Sequence, residues 1–295
     1  MTTQHLTVHP PLAPGLQIGV MTPEEIATLA HWARLEGWNP GHHDLNIAAG
    51  YDPEAFIALR QDGALVGGGS ILSWRGAAGF MGLFILRPDA RGRGWGGQLW
   101  HARLQRLRAR LSPGAPIGMD GVKAMAPFYA RGGFRPLHED WRYAGCAQGE
   151  RDPQMISIEQ VPMLQLDAFD RLHVTAPRGR FLRDWLHQPG ANGLALMEDG
   201  RVTAMGLVRP CHEGFKVGPA FAEEAGRGER LLASLLGLIP GQPVQVDIPE
   251  PHTAAARILE RLGLRPTFSC VRMVQGDDRP LPLTRIFGLT SFEFG

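Results

Sequence analysis

Between an apolar run, GFMGLFIL from Gly79, and an amphipathic stretch starting near Trp100 lies Arg91-Gly-Arg-Gly-Trp-Gly-Gly97. The first amides of a helix have no intrahelical partner, and the helix dipole favours an anion there. Gly92, Gly94, Gly96 and Gly97 let the backbone approach a phosphate and adopt positive φ, and Arg91 and Arg93 add charge that neutralises a diphosphate. Three readings compete: a cradle for a phosphate-bearing cofactor, a nucleic-acid grip, or the start of a solvated basic helix. The turn lacks the Gly-Lys-Ser/Thr of a triphosphate loop, and Leu99 breaks the G-x-G-x-x-G dinucleotide pattern. A second polar group, His42-His43-Asp44 after Trp38-Asn39, has no third histidine or carboxylate placed to complete a metal site, so no metal is expected. Cys146, Cys211 and Cys270 are widely spaced without a C-x-x-C pair, which argues against a zinc ribbon or a disulfide scaffold.

Composition narrows these readings. The chain has 295 residues, 44% hydrophobic and 20% charged, with a net charge of +1, so no global field recruits DNA or an anionic membrane. Lys123 and Lys216 are the only lysines, and the many arginines are scattered and nearly balanced by acids. No aromatic-rich basic face accompanies them, so nucleic acid is not an expected partner. The opening MTTQHLTVHPPLAPG lacks the basic start and apolar run of a signal peptide. The most apolar run, LLASLLGLIP from Leu231, is about half of the ~20 residues a spanning helix needs. A cytoplasmic protein, monomeric or homodimeric and without a membrane partner, is expected.

The elements that position these residues come in two copies. LSPGAPIGMDGV from Leu111 is answered by LIPGQPVQVDIP from Leu238, aligning Asp120 with Asp247. FYARGGFRPL from Phe128 is answered by ILERLGLRPT from Ile258, and WRYAG by VRMVQG. RGRGWGGQLW from Arg91 lines up with EEAGRGERLL from Glu223. The order is kept and the period far exceeds that of a solenoid, so a whole domain has been duplicated. We expect an α/β protein of tandem domains, residues 1–147 and 156–276, with a docked tail at 277–295.

In the first copy, GLQIGVM reads as a strand. A helix follows, capped by Thr22 with Glu25 three residues on. EAFIALRQDGALVGGGSILSW reads as two strands around an Asp-Gly turn. GFMGLFIL is a buried strand, and the helix after the glycine turn places Trp100, Leu104, Leu107 and Leu111 on its apolar face and Arg103, Arg106 and Arg110 off it. PIGMDGV, KAMAPFYARGG and WRYAG complete the copy as strand, helix and strand. The layout is a mixed sheet flanked by helices, and the second copy repeats it.

Arg91-Gly-Arg-Gly94-Trp-Gly96, preceded by LFILRP and followed by FYARGGF, resembles the R/Q-x-x-G-x-G/A signature and F-Y-E-K-x-G-F segment of the GNAT (Gcn5-related) N-acetyltransferases. EGWNPG, RPCHEGFKVGP and the closing FGLTSFEFG further resemble a two-lobed bacterial group with a degenerate second GNAT-like lobe. The resemblance implies partly splayed sheets and acetyl-CoA as the acyl donor. The pyrophosphate would lie on the amides from Arg91 through Trp95 to Gly97, and the pantetheine arm along Phe84, Ile85 and Leu86. It implies a small-molecule amine as acceptor and Tyr129 as the acid that protonates the leaving thiolate, against the plainer reading of a half-buried core aromatic.

This chain departs from the family pattern. Val122 stands where an asparagine is common, and GFMGLFIL holds no carboxylate to act as base. Asp120 is the nearest candidate, with a turn-capping aspartate as the alternative. Trp38, Asn39, His42, His43 and Asp44 fall in the loop that borders the acceptor pocket in this fold, with solvated surface as the alternative for the histidine pair. In the second copy Glu223 replaces Arg91 and Leu259 replaces Tyr129, while Gly226 and Gly228 are expected to keep the turn. The second lobe is therefore expected to have lost the cofactor and to shape the acceptor pocket or complete the fold. Tandem GNAT arrangements also occur in mycothiol synthase and the aminoacyl-transferring peptidoglycan enzymes, so another acyl donor remains open; a protein amine is the alternative acceptor, and the missing carboxylate on GFMGLFIL permits a non-catalytic acyl-CoA sensor.

Overall fold

The computed structural model describes residues 12–277 and 279–295. The opening segment, on which the reading of a missing signal peptide rests, lies largely outside the described residues. The first copy runs β1 (Leu16–Val20), α1 (Pro23–Leu35), α2 (Asp44–Tyr51), β2 (Phe56–Gln61), β3 (Ala64–Ser73), β4 (Gly79–Leu86), α3 (Trp95–Arg108), β5 (Ile117–Val122), α4 (Ala126–Arg131) and β6 (Arg135–Cys146). The second runs β7 (Met155–Ser157), α5 (Met163–Asp170), α6 (Gly179–Leu186), β8 (Asn192–Glu198), β9 (Arg201–Pro210), β10 (Phe215–Ala222), α7 (Ala225–Gly237), β11 (Pro243–Pro249), α8 (Thr253–Arg261) and β12 (Arg265–Gln275). The tail adds β13 (Ile286–Gly288).

Local chemistry accounts for the element ends. Thr22 Oγ1 accepts the Glu25 amide and Glu25 accepts the Thr22 amide, closing the capping box of α1, a device whose loss costs ~1 kcal/mol. Asp62 and Gly63, both at positive φ, make the tight turn between β2 and β3.

The strands form one mixed, open sheet in the order β1-β2-β3-β4-β5-β12-β6-β11-β10-β9-β8-β7, with β13 on β10. This order contains an exchange that the repeat pattern did not announce. β12, the last strand of the second copy, inserts between β5 and β6 of the first, and β6 lies against β11 of the second. Each copy is therefore finished by the other.

Two aspartate–arginine pairs lock the exchange. Asp120 on β5 takes both oxygens' hydrogen bonds from Arg272 on β12, at 2.5 and 2.9 Å. Asp247 on β11 takes them from Arg142 on β6, at 2.7 and 2.8 Å. The two aspartates were matched in the repeat, as were the segments carrying the arginines, so the same bond crosses between copies twice. All four side chains are buried or nearly so. One apolar core lies under α3, a second under α7 and α8, and the largest joins α1 and α2 of the first copy to α5 and α6 of the second and to the tail.

Candidate active site

The site begins where β4 and β5 part. They pair in parallel only at Gly79–Met81 with Ile117–Met119, and beyond Met81 no described strand takes β5's place beside β4. A bulge bends β4 there, with Leu83 at φ +51, a conformation a branched side chain seldom adopts. The bulge is held from beneath by Arg103, which is fully buried and donates to Ser70 O (2.6 Å) and Gly82 O (2.7 Å). Arg103 thus lies on the inner face of α3, not off it as its spacing suggested. Burial pushes its guanidinium down to about 9, and its Nε and Nη1 have no hydrogen-bond partner.

The cleft that opens has a volume of about 560 Å³. Phe84, Ile85 and Leu86 form one wall, Tyr129 and Phe128 of α4 another, and Arg91, Gly92, Gly94, Gly96 and Gly97 its mouth. Gly92 and Gly94 have φ near +75 and +79, which is how the chain turns from strand to helix within this segment. Gly94 caps α3 with no side-chain hydrogen bond, leaving first-turn amides open to an anion. An added Cβ at Gly92, Gly94 or Gly97 would meet no atom within 4 Å, so the turn's outer surface is free for a ligand. These residues fit a diphosphate. Arg91 bends over the mouth, its Nε donating to Leu86 O (2.9 Å) and its Nη2 pairing with Glu36 (2.5 Å). Arg93 stacks on Trp95 instead (4.9 Å), and neither side chain lines the cleft.

Tyr129 packs on Trp100 (4.8 Å between ring centroids), and burial pushes its hydroxyl up to about 12, so it stays protonated at neutral pH. Asp120 borders the cleft but is neither a turn cap nor a free base: it lies within β5, and both its oxygens accept from Arg272. Burial raises its pKa well above the usual carboxylate range against the pull of Arg272, and the nearby carboxylate of Asp140 adds to the rise.

The acceptor candidates separate. Trp38 lines the cleft. Asn39 and Asp44 are buried and tie the lobes together, Asn39 bonding Cys211 and Glu213 and Asp44 accepting both hydrogen bonds of Arg209 at 2.8 and 2.9 Å. His42 is exposed and His43 faces a shallow depression beside α6, both away from the cleft. Among the described residues no group of three histidine, cysteine or acidic side chains is placed to hold a metal ion. No described helix is long and apolar enough to cross a membrane.

The second lobe differs at the same place. In the first lobe residues 87–94 connect β4 to α3; in the second, Glu223 and Glu224 alone connect β10 to α7. Gly226 and Gly228 are therefore helical residues and keep no turn. The buried faces of the two helices match at a spacing of 128, Arg103, Leu104 and Leu107 against Leu231, Leu232 and Leu235, not at the 132 that paired Arg91 with Glu223. Glu223 pairs with Arg201 and Arg227. β10 and β11 part after Val217 and Val246 as β4 and β5 do, but here the tail enters: Gly288 and Ile286 pair with Ala220 and Phe221. Phe287 packs where Gly228 has no side chain, and Leu289 N donates to Asp247 O (2.7 Å).

Sequence reasoning missed the cleft residues that come from outside the first copy: Phe268, Cys270, Phe292 and Glu293. The only signal for the last two was the closing FGLTSFEFG.

A strand pair splayed over an uncapped glycine turn, with a second lobe built on the same plan, defines a tandem acyltransferase fold. The family models agree: residues 24–134 match the Acetyltransferase (GNAT) family and residues 165–288 match an Acetyltransferase (GNAT) domain. The chain belongs to the GNAT acetyltransferase family and carries two of its domains. It is 25% identical over 277 residues to a holothin acyltransferase of Pseudoalteromonas sp. (strain SANK 73390), covering 92% of each chain. Among solved structures, a putative acetyltransferase from Pyrococcus horikoshii superposes with a TM-score of 0.81 at 19% identity, covering 99% of this chain and 100% of that one. A tandem GNAT protein from the clavulanic acid biosynthesis pathway superposes with a TM-score of 0.61 at 14% identity, covering 90% and 99%.

Proposed function

We propose that the first lobe transfers an acetyl group from acetyl-CoA to the amine of a small molecule. The observation that carries this reading is the single cleft that joins the unpaired edge of β4 at Phe84–Leu86 to the uncapped turn at Gly94. The edge offers main-chain groups to a pantetheine arm, the turn offers amides and Arg91 to the diphosphate, and the buried hydroxyl of Tyr129 offers a proton to the departing sulfur. A holothin acyltransferase, similar over nearly the whole chain, is named for holothin as its acceptor, which favours a small molecule over a protein. In the second lobe the tail lies along β10 in the place that the donor takes along β4, and the turn is gone, so that lobe binds no cofactor and supplies walls to the first.

Release of free thiol from acetyl-CoA with a panel of amines tests the reading, and binding without turnover on every amine would point to a sensor instead. Arg91→Glu should weaken acetyl-CoA about 10- to 100-fold by calorimetry, the worth of one charge-assisted contact reversed. Unchanged affinity would remove the first lobe's turn from the site.

A further inference from the structure

The cleft lies in a lobe whose own strand GFMGLFIL carries no carboxylate, yet one reaches it from the far end of the chain. After β13 the tail leaves the second lobe, and its path is pinned at Thr290, whose Oγ1 accepts from Arg178 (2.8 Å) and whose carbonyl accepts from Arg209 (3.2 Å). Ser291 Oγ then accepts the amides of Glu293 (3.3 Å) and Phe294 (3.1 Å), turning the chain sharply. The turn presses the Glu293 backbone on Gly82, where any Cβ would collide with the Glu293 carbonyl oxygen. Gly82 is the last residue of β4 before the bulge, so the tail meets the first lobe where the strands part, at the inner end of the cleft.

Three carboxylates line this cleft, and two are engaged: Glu36 with Arg91 at the mouth, and Asp120 with Arg272. Glu293 is 3% exposed, and its Oε2 is buried without a hydrogen-bond partner. A carboxylate oxygen left so costs free energy unless something supplies a donor. Arg142 and Arg209, whose charges feel Glu293, are each held by both oxygens of their own aspartates, Asp247 and Asp44. Lys216, which feels it too, gives a hydrogen bond to Trp38 O (3.1 Å), and burial with Arg142 beside it pushes its ammonium down. With Asp44 and Asp247, Glu293 balances the charge of these three cations. The rings of Trp38, Phe268 and Phe292 line the same cleft, the last two 6.2 Å apart.

We propose that Glu293 is a catalytic residue: it binds the ammonium of the acceptor, a primary amine on an apolar body, and takes its proton. This rests on the reading of the first lobe as an acetyl-CoA site. In the step, one ammonium proton passes to Glu293, and the freed nitrogen lone pair forms the N–C bond to the acetyl carbonyl. The C–S bond breaks, the sulfur takes the Tyr129 proton, and the second nitrogen proton replaces it on Tyr129. Glu293 returns its proton to solvent, so one ammonium and one thioester give one amide, one thiol and one proton.

The test uses full-length protein saturated with CoA and two probes of one shape, 2-phenylethylamine and 2-phenylethanol, titrated by calorimetry. The wild-type protein should favour the amine by about tenfold or more, the worth of a charge-assisted hydrogen bond. Glu293→Gln should lose that preference while its affinity for the alcohol and for acetyl-CoA stays within about twofold. No discrimination in the wild-type protein, no detectable amine binding, or full discrimination in Glu293→Gln each overturns the proposal. The wild-type comparison stands alone if Glu293→Gln does not fold. Failure of the wild-type protein to bind acetyl-CoA overturns the first-lobe reading instead, so the two failures are told apart.

Discussion

Replacing Asp120 with asparagine separates a structural ion pair from a catalytic base. Removing one partner of a buried pair costs about 3–5 kcal/mol, because the remaining charge is left uncompensated. Arg272 keeps a second carboxylate, Asp140, at 3.3 Å, which places the cost near the lower end, about 3 kcal/mol. An unfolding entropy of about 2.1 cal/mol/K per residue gives a chain of this length roughly 0.6 kcal/mol per degree, so Asp120→Asn should lower Tm by about 5 °C. Asp247→Asn leaves Arg142 without such a neighbour on its own strand pair and should lower Tm by about 7–8 °C. In an Arg272→Gln background the Asp120 substitution should cost below about 1 kcal/mol, since the two residues act as one unit. Scanning calorimetry reads the stability, and thiol release per folded molecule reads the chemistry. An unchanged Tm with turnover down about 100-fold would refute the pairing argument and restore Asp120 as the base.

Tyr129→Phe should reduce turnover about 100-fold in the thiol-release assay, with acetyl-CoA affinity within about twofold. Asp120, protonated more readily in the fold than in the unfolded chain, stabilises the protein at low pH, and that contribution fades as pH rises through its raised pKa. Asp140 contributes to the rise, so Asp140→Asn should flatten the decline of Tm with pH above the ordinary carboxylate range; an identical pH profile would contradict this. Phe287→Ala, at a fully buried ring against Gly228, should cost about 3–5 kcal/mol in urea denaturation, and a loss below about 1 kcal/mol would show that the tail is not packed into the second lobe.

Much of the architecture was legible because it is written in local patterns. Thr22 with Glu25, Asp62-Gly63 and the run GFMGLFIL each specify their element without help from distant residues. The duplication was legible because its blocks kept their order. What escaped depends on which copy a strand joins, and side-chain period says only which face a residue takes. VRMVQG reads as the same strand whether it closes its own lobe or its neighbour's. Arg103 escaped because charge was taken as a sign of exposure, although its position between Trp100 and Leu107 lies on the buried stripe. The apparent match of Gly226 and Gly228 with the glycine turn was similarity of letters across a deleted loop. In the candidate site, the turn and Tyr129 were visible as one segment each, whereas Glu293 reaches the cleft only because the tail crosses both lobes.

The exchange of strands sets a schedule for the protein's birth. When β5 leaves the ribosome its outer edge has no neighbour, and the strand that covers it ends at Gln275, after β7 to β11 have been made. At about 5–20 residues per second that wait lasts roughly 8–30 s. An unpaired strand edge exposed for so long is a template for wrong pairing. The cleft gains Phe292 and Glu293 later still, once both lobes and the segment that crosses them have been made.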